Sequence, residues 1–439
     1  VPASARHPQQ FLQKANIIMR SSVQTEKRIS WFGLLTIWFG GLISVPSLLI
    51  GSTLIAGLSF YEALFAGLIG FSIVCLFMCL ESVAAVDTRL TTVQLASSSF
   101  GRNGANILVG LVVGASCLGW FGVQSNIAGA SFSKIMALSF NLHIPAAAST
   151  IFWGAVMMLT AVFGFKYLKV FNYIAVPCKI FLIAYGLIVS FQGRSFSTIT
   201  TYQPATHIDF VVAVGLCIGF FSVGGVISPD YSRFAKNRKD AILGSVLGLL
   251  PAALMLMAVG SILAIFQGTY DIVEIFSKMG YPAAALAVLI IATWTTNVMN
   301  AYSSGLAINQ LLHWPERRQH ISIIVAGILG TALGAMGILG KFMSFLMILT
   351  VTIPPVAGVL ISDYWIAKTY TPNNTQAFNW KGLVAWASGV AVMLLLENPI
   401  KNVLGILVSL LMYYLLQMNA SKARAGAIPA MPAPEAPPA

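Results

Sequence analysis

Lys179 lies in the middle of an apolar run, Ile174-Ala175-Val176-Pro177-Cys178-Lys179-Ile180-Phe181-Leu182. An ammonium among hydrocarbon neighbours snorkels to a polar boundary, pairs with a carbonyl, or exchanges protons as part of a function. Trp120 and Gln124 are four residues apart in another apolar run and share one helix face. A flat heterocycle could stack on such an indole while the amide offers it both a donor and an acceptor. In a third run Ala292, Thr296 and Asn300 recur every four residues, with Thr295 beside them. Two hydroxyls and a main-chain carbonyl suit a hard cation that prefers oxygen ligands. The alternative is that the threonines bond back to their own helix, as they commonly do in apolar helices. Other reactive residues form no constellation. The five cysteines all sit in apolar stretches without zinc spacing, and the histidines lie in polar segments or near helix ends. No HExxH or GxSxG string occurs, so a membrane hydrolase lacks both its metal ligands and its nucleophile. Nor is there the repeated filter or ring of like side chains that a channel would show.

The elements that must carry these residues follow from composition. The chain has 439 residues, 57% of them hydrophobic and only 9% charged. A soluble domain carries roughly 25% charged residues, so a soluble enzyme, a nucleic-acid-binding domain and a disordered chain are excluded. Twelve apolar segments are readable, near 31–56, 60–85, 105–136, 145–165, 168–192, 209–229, 241–266, 282–311, 320–339, 342–366, 380–396 and 400–418. They are too long and too uniformly apolar for barrel strands, and about 20 residues of helix cross a bilayer. The expected fold is therefore an all-α polytopic membrane protein with twelve transmembrane helices. An even number of spans puts both termini on one side. Of 25 Lys and Arg residues, nineteen fall in segments on the N-terminal side, five opposite, and Lys179 within a span. That bias makes both termini cytoplasmic, in an inner or plasma membrane, and makes the net charge of +12 a report of orientation rather than of an acidic partner. Residues 1–30 read as a basic cytoplasmic segment without a signal peptide. Residues 421–439, rich in Ala and Pro, read as a disordered tail.

Two spans look broken. The first holds Gly40-Gly41 and Ser44-Val45-Pro46-Ser47; the sixth holds Gly219, Gly224-Gly225 and Ser228-Pro229. Proline removes a helical donor and glycine loosens the ladder. The breaks lie five spans apart, and an odd number of spans per half inverts the second half relative to the first. Matching interruptions in inverted halves point to a transporter's midplane site. The halves would be 31–192 and 209–366, with 380–418 as two peripheral helices. Ile353-Pro354-Pro355 makes a third break in the tenth span.

Four strings in this order and spacing carry a resemblance: Gly119-Trp120-Phe121-Gly122, Ser228-Pro229-Asp230-Tyr231-Ser232-Arg233-Phe234, Trp294-Thr295-Thr296-Asn297 with Tyr302-Ser303-Ser304-Gly305-Leu306, and Ile353-Pro354-Pro355 leading to Ser362-Asp363-Tyr364. Over residues 30–370 the chain resembles the nucleobase–cation symporter-1 family, whose members carry cytosine, purines and hydantoins. The resemblance implies two inverted five-helix repeats of the leucine-transporter-like fold. It implies a planar heterocycle held by Trp120, Gln124 and Phe221, with the Phe220 backbone adjacent, Asn300 reaching the substrate and Asn297 in support. It also implies sodium bound by the Ala292 carbonyl, the Thr295 and Thr296 hydroxyls, and the carbonyls of Ser44 and Ser47. Lys179 keeps a proton-coupled alternative open, since an intramembrane ammonium can supply the charge instead. Cytosine-carrying members have an Asn where this chain has Ala292 and a Ser where it has Val223, whereas Gln124 fits the hydantoin pattern. Asp230 and Arg233 are expected to cap or pair at the cytoplasmic end of the sixth span. No obligate protein partner is evident.

Overall fold

The computed structural model describes residues 28–163, 168–312, 314–371, 374, 376–396 and 400–426. Among them lie eight helices long and apolar enough to cross a membrane, one bent helix pair, and three shorter apolar helices. Together these are the twelve spans, all helical because lipid offers backbone groups no other partner. The first span is the bent pair, Trp31–Leu42 and Val45–Ile55, at 61° to one another. Helix stops at Ile43, whose ψ of 81° is not helical, and restarts after an extended Ser44 with Pro46 in the new first turn. Proline fits there because its missing N–H has no helical acceptor in a first turn. The second, third, fourth and fifth spans are Phe60–Thr88, Arg102–Phe140, Ala146–Phe163 and Leu168–Phe191. The sixth to ninth are Phe210–Val226, Arg238–Gln267, Pro282–Leu311 and Gln319–Ala335. The tenth comprises Phe342–Thr352 and Pro354–Ile361, and the last two are Trp380–Leu395 and Lys401–Gly426.

Two details differ from the sequence expectation. The sixth span runs as helix through Gly219 and Gly224-Gly225, and breaks only at Ile227-Ser228 before a short helix, Pro229–Ser232. Gly225 is needed for packing rather than for unwinding: a Cβ there would collide with the Phe77 ring of the second span. The twelfth helix continues past Met418 to Gly426, so the N-terminal part of the expected disordered tail is helical. Ala420, Lys422, Ala423 and Ala425 are all good helix formers, which extends it. Residues 1–27 and 427–439 lie outside the described residues.

Packing sorts the spans into two interlocked groups. The first, second, sixth and seventh spans pack on one another, and so do the third, fourth, eighth and ninth. Each group takes corresponding spans from both halves, as inverted repeats require. The fifth lies against the seventh and eighth; the tenth lies against the sixth, the eleventh and the twelfth. Small residues set the closest approaches. A Cβ on Gly51 would meet the Met257 carbonyl and one on Gly260 the Leu48 carbonyl, so the C-terminal half of the first span, Val45–Ile55, and the seventh span touch through backbone. On the basic face Ile29 pairs in parallel with Ala235 (Ile29 N–H to Phe234 O, 2.9 Å), and Arg89 donates to the carbonyls of Arg233 and Ala235 (2.7 Å each). On the opposite face Ile208 N–H bonds the Gly57 carbonyl (3.0 Å) and Lys134 pairs with Glu274 (2.9 Å). In each of these contacts the partners come from segments expected on the same side.

Candidate functional site

The third and eighth spans make the most extensive helix pair among the described residues. Their polar side chains face each other because hydrocarbon offers them no alternative partner. Gln124, 3% exposed, accepts a hydrogen bond on Oε1 from the Thr296 hydroxyl at 2.6 Å. The same hydroxyl lies 3.1 Å from the Ala292 carbonyl and 3.2 Å from that of Thr293, so its single proton has three acceptors, Gln124 being nearest. Thr295 donates to the Ala292 carbonyl (3.2 Å). One turn on, the fully buried Asn297 amide donates to the Phe121 carbonyl (3.0 Å) and the Ser125 hydroxyl (3.0 Å), and Asn300 donates to Asn297 Oδ1 (3.3 Å). Asn297 is therefore a clamp between the two spans, with Asn300 attached to it.

The half-buried Trp120 indole meets three phenylalanines edge to face: Phe220 at 5.6 Å between centroids, Phe345 at 5.3 Å and Phe342 at 5.9 Å. Among the described residues no ring lies parallel on it, so no partner of that kind competes for an indole face. Phe221 is turned to the first span, where its ring meets Trp38 at 6.1 Å. The neighbour of Trp120 on the sixth span is thus the Phe220 ring, expected to contribute only backbone. Phe342, Phe345 and Trp38 were not anticipated. Their only sequence signal is aromatic type beside a helix start or break, and lipid-facing phenylalanines share it.

Ser44, Lys179 and Ala292 meet in the wall of one small cavity, with Val45, Leu48, Leu182 and Ile183, between the first-span break and the fifth and eighth spans. Lys179 is 5% exposed and has no hydrogen-bond or ion-pair partner among the described residues. Ser47 braces the break instead of facing the cavity. Its hydroxyl donates to the Leu42 carbonyl (2.6 Å) and contacts Ser44 Oγ at 3.2 Å. Ser44 O accepts the Ser47 N–H at 3.1 Å. Of the five residues expected to ligate a cation, only Ser44 and Ala292 line this cavity; Ser47 does not, nor do Thr295 and Thr296, which lie three and four residues beyond Ala292 on the eighth span. Asp230 caps a neighbouring helix rather than its own, accepting the Thr92 N–H (2.9 Å) at the start of Thr92–Phe100; Arg233 bonds the Asp230 carbonyl (3.3 Å).

Twelve helical spans, eight of them in two interlocked groups drawn from both halves of the chain, with a broken first span and polar groups converging between the third and eighth, define a multi-pass transporter of the inverted-repeat class. The profile of the family described as "Permease for cytosine/purines, uracil, thiamine, allantoin" matches residues 22–416, and the chain belongs to this family, the nucleobase–cation symporter-1 family. It is 29% identical over 401 residues to the cytosine permease of Escherichia coli (strain K12), covering 90% of this chain and 93% of that protein. Among solved structures it superposes on the inward-facing conformation of Mhp1 with a TM-score of 0.79 at 19% identity, over 90% of this chain and 92% of the other. With Mhp1 in a closed conformation with bromovinylhydantoin bound, the TM-score is 0.72 at 20% identity, over 93% and 95%. The relatives are permeases, and the protein is a membrane transporter and not an enzyme.

Proposed function

We propose that this protein imports a planar N-heterocycle, of the cytosine, purine, uracil or hydantoin type, by cation symport with alternating access. The observation that carries the reading is the Gln124–Thr296 hydrogen bond, which ties the face bearing Trp120 to the polar stripe of the eighth span. The substrate ring lies on Trp120, with Phe220 and Phe221 on the facing span and the Gln124 NH₂ left to donate to it. Asn300 is within a turn, and Asn297 positions both helices. A cytosine permease among the relatives and a hydantoin-bound structure of the same fold support the substrate class. Ala292 and Val223 lack polar side chains, so a purine, uracil or hydantoin should compete with a radiolabelled ligand at least as well as cytosine. A label displaced by cytosine alone would refute this part.

Sodium is the first candidate for the coupling ion. The Ala292 carbonyl, the Thr295 and Thr296 hydroxyls and the Ser44 backbone are the neutral oxygen set such an ion prefers. Ser47 would contribute from a carbonyl already inside a helix. The second reading, a proton carried on Lys179, is favoured by that side chain's place in the same cavity wall. A sodium ion and a charged Lys179 in one small cavity would repel each other, so the two readings compete. Uptake into proteoliposomes under separate sodium and pH gradients, for wild type, Thr296→Val and Lys179→Met, tests this. Sodium coupling predicts uptake that follows sodium, survives Lys179→Met and weakens in Thr296→Val. Uptake that ignores sodium, follows pH and is lost in Lys179→Met assigns the proton. Uptake driven by neither gradient overturns symport. The repeat boundaries, 31–192 and 209–366, the cytoplasmic placement of both termini and an inner or plasma membrane location belong to the same proposal.

A further inference from the structure

A second chamber lies near the basic face, away from the substrate residues. Its walls include Glu81 of the second span, Leu95 and Ser99 of the short helix Thr92–Phe100, Leu360 and Asp363 at the end of the tenth span, and Tyr370. It has room for one water-sized occupant. Glu81 is 3% exposed, and both its carboxyl oxygens are buried without a hydrogen-bond partner among the described residues. Asp363, 1% exposed, accepts from the Ser99 hydroxyl (2.9 Å) and the Thr369 hydroxyl (2.7 Å). No basic side chain among the described residues lines the chamber. Among the cations on this face, Arg238 pairs with Asp87 (2.7 and 2.8 Å), Arg89 with the carbonyls of Arg233 and Ala235, Arg233 with the Asp230 carbonyl and Lys381 with Gln417 (2.8 Å).

A buried carboxylate without donor or counter-charge is strongly unfavourable, so a positive charge, a proton included, must reside on or beside Glu81. We propose that Glu81 and Asp363 form a second cation site, which takes one proton or one bare alkali ion. Asp363 is fixed by its two hydroxyl donors, and Glu81 is the group that receives the charge. The walls belong to the second span, the Thr92–Phe100 helix and the tenth span beyond its Ile353 break. Occupancy therefore holds the end of the tenth span on the second, and loss of the charge sets two carboxylates against each other across the chamber. Further titratable groups surround the chamber. On the second span Asp87 is held by Arg238 and the Tyr364 hydroxyl (2.9 Å). Asp230 takes the Thr92 N–H. Tyr413 of the twelfth span accepts from Gln417 (2.8 Å) and faces the Asp363 carboxyl, the Tyr370 hydroxyl of the wall is buried, and the Thr92–Phe100 helix has no titratable side chain.

The test is thermal unfolding of the full chain in choline buffers, either across the acidic-to-neutral range or at fixed pH with added lithium, sodium or potassium chloride. Wild type is compared with Glu81→Gln and Asp363→Asn. Binding to the folded state raises the midpoint. A midpoint that rises as pH falls assigns a proton; one that rises with an alkali ion at fixed pH assigns that ion. In either case Glu81→Gln loses the part of the dependence that belongs to this chamber, read as the difference from wild type; sodium stabilisation that persists in Glu81→Gln and is lost in Thr296→Val belongs to the coupling site. The infrared carboxyl band of the wild-type protein, which needs no variant, changes with the same ligand. A wild type indifferent to both, or a Glu81→Gln variant with unchanged dependence, overturns the proposal.

Discussion

Substitution of Thr296 by Val keeps the shape of the side chain and removes the hydroxyl that donates to Gln124 at 2.6 Å. Two costs follow. Gln124 loses one buried hydrogen bond, about 1 kcal/mol net. Its amide is also no longer held with the NH₂ toward the substrate, and refixing a Gln side chain costs up to about 2 kcal/mol in rotamer entropy. Substrate affinity should fall by about 1–2 kcal/mol, which is roughly 5- to 30-fold. Gln124→Ala removes the same bond and the contact with substrate. In the double variant the shared bond is lost only once, so a double-mutant cycle should give a coupling of about 1 kcal/mol. The assay is equilibrium binding of a labelled heterocycle to purified protein at fixed pH and saturating sodium, so that weakened sodium binding does not enter. Strictly additive losses in the cycle, or an unchanged affinity in Thr296→Val, would refute the idea that this hydroxyl orients Gln124.

Trp120→Ala should abolish substrate binding while leaving a folded, membrane-inserted protein, and Trp120→Phe should restore part of it. Retained affinity in the alanine variant would remove Trp120 from the site. Gly51→Ala forces a methyl into the Met257 carbonyl and should destabilise by about 1–3 kcal/mol, read as a lower unfolding midpoint, whereas Gly40→Ala, with open space around it and a helical backbone, should cost less. On the face opposite the basic one the Lys134 hydrogen bond holds the Glu274 carboxyl below its ordinary pKa, with partial burial opposing it. Its stabilisation is therefore complete above the unfolded carboxylate pKa and is lost as pH falls through the lowered folded value. Both side chains are 38% exposed, so the effect is no more than about 1 kcal/mol. A Glu274→Gln variant should lack this acid-side slope, and an identical slope would place its origin elsewhere.

Much of the architecture was legible in the chain because the bilayer imposes it. Hydrocarbon requires long apolar helices, so their number and limits follow from hydropathy. Prolines act locally, and for that reason Pro46 and Pro354 mark real helix restarts. Glycines do not act locally. Gly224-Gly225 suggested an unwound segment, but glycine in a membrane helix serves close packing as readily as unwinding, and only the position of the Phe77 ring decides which.

The stripe of the eighth span and the face of the third were equally plain from spacing, since residues four apart must share a side. Their meeting was not, because helix spacing says nothing about which helix lies opposite. Tertiary structure alone put Thr296 on Gln124, turned the Phe220 ring toward Trp120 and Phe221 toward Trp38, and brought Lys179 into one cavity with Ser44 and Ala292. It also isolated Glu81, whose sequence surroundings gave no hint that two helices from distant parts of the chain would close over it. Residue type and spacing determine what a side chain can do and which side of its helix it occupies; long-range packing, whose energy is shared among many distant contacts, decides which groups meet.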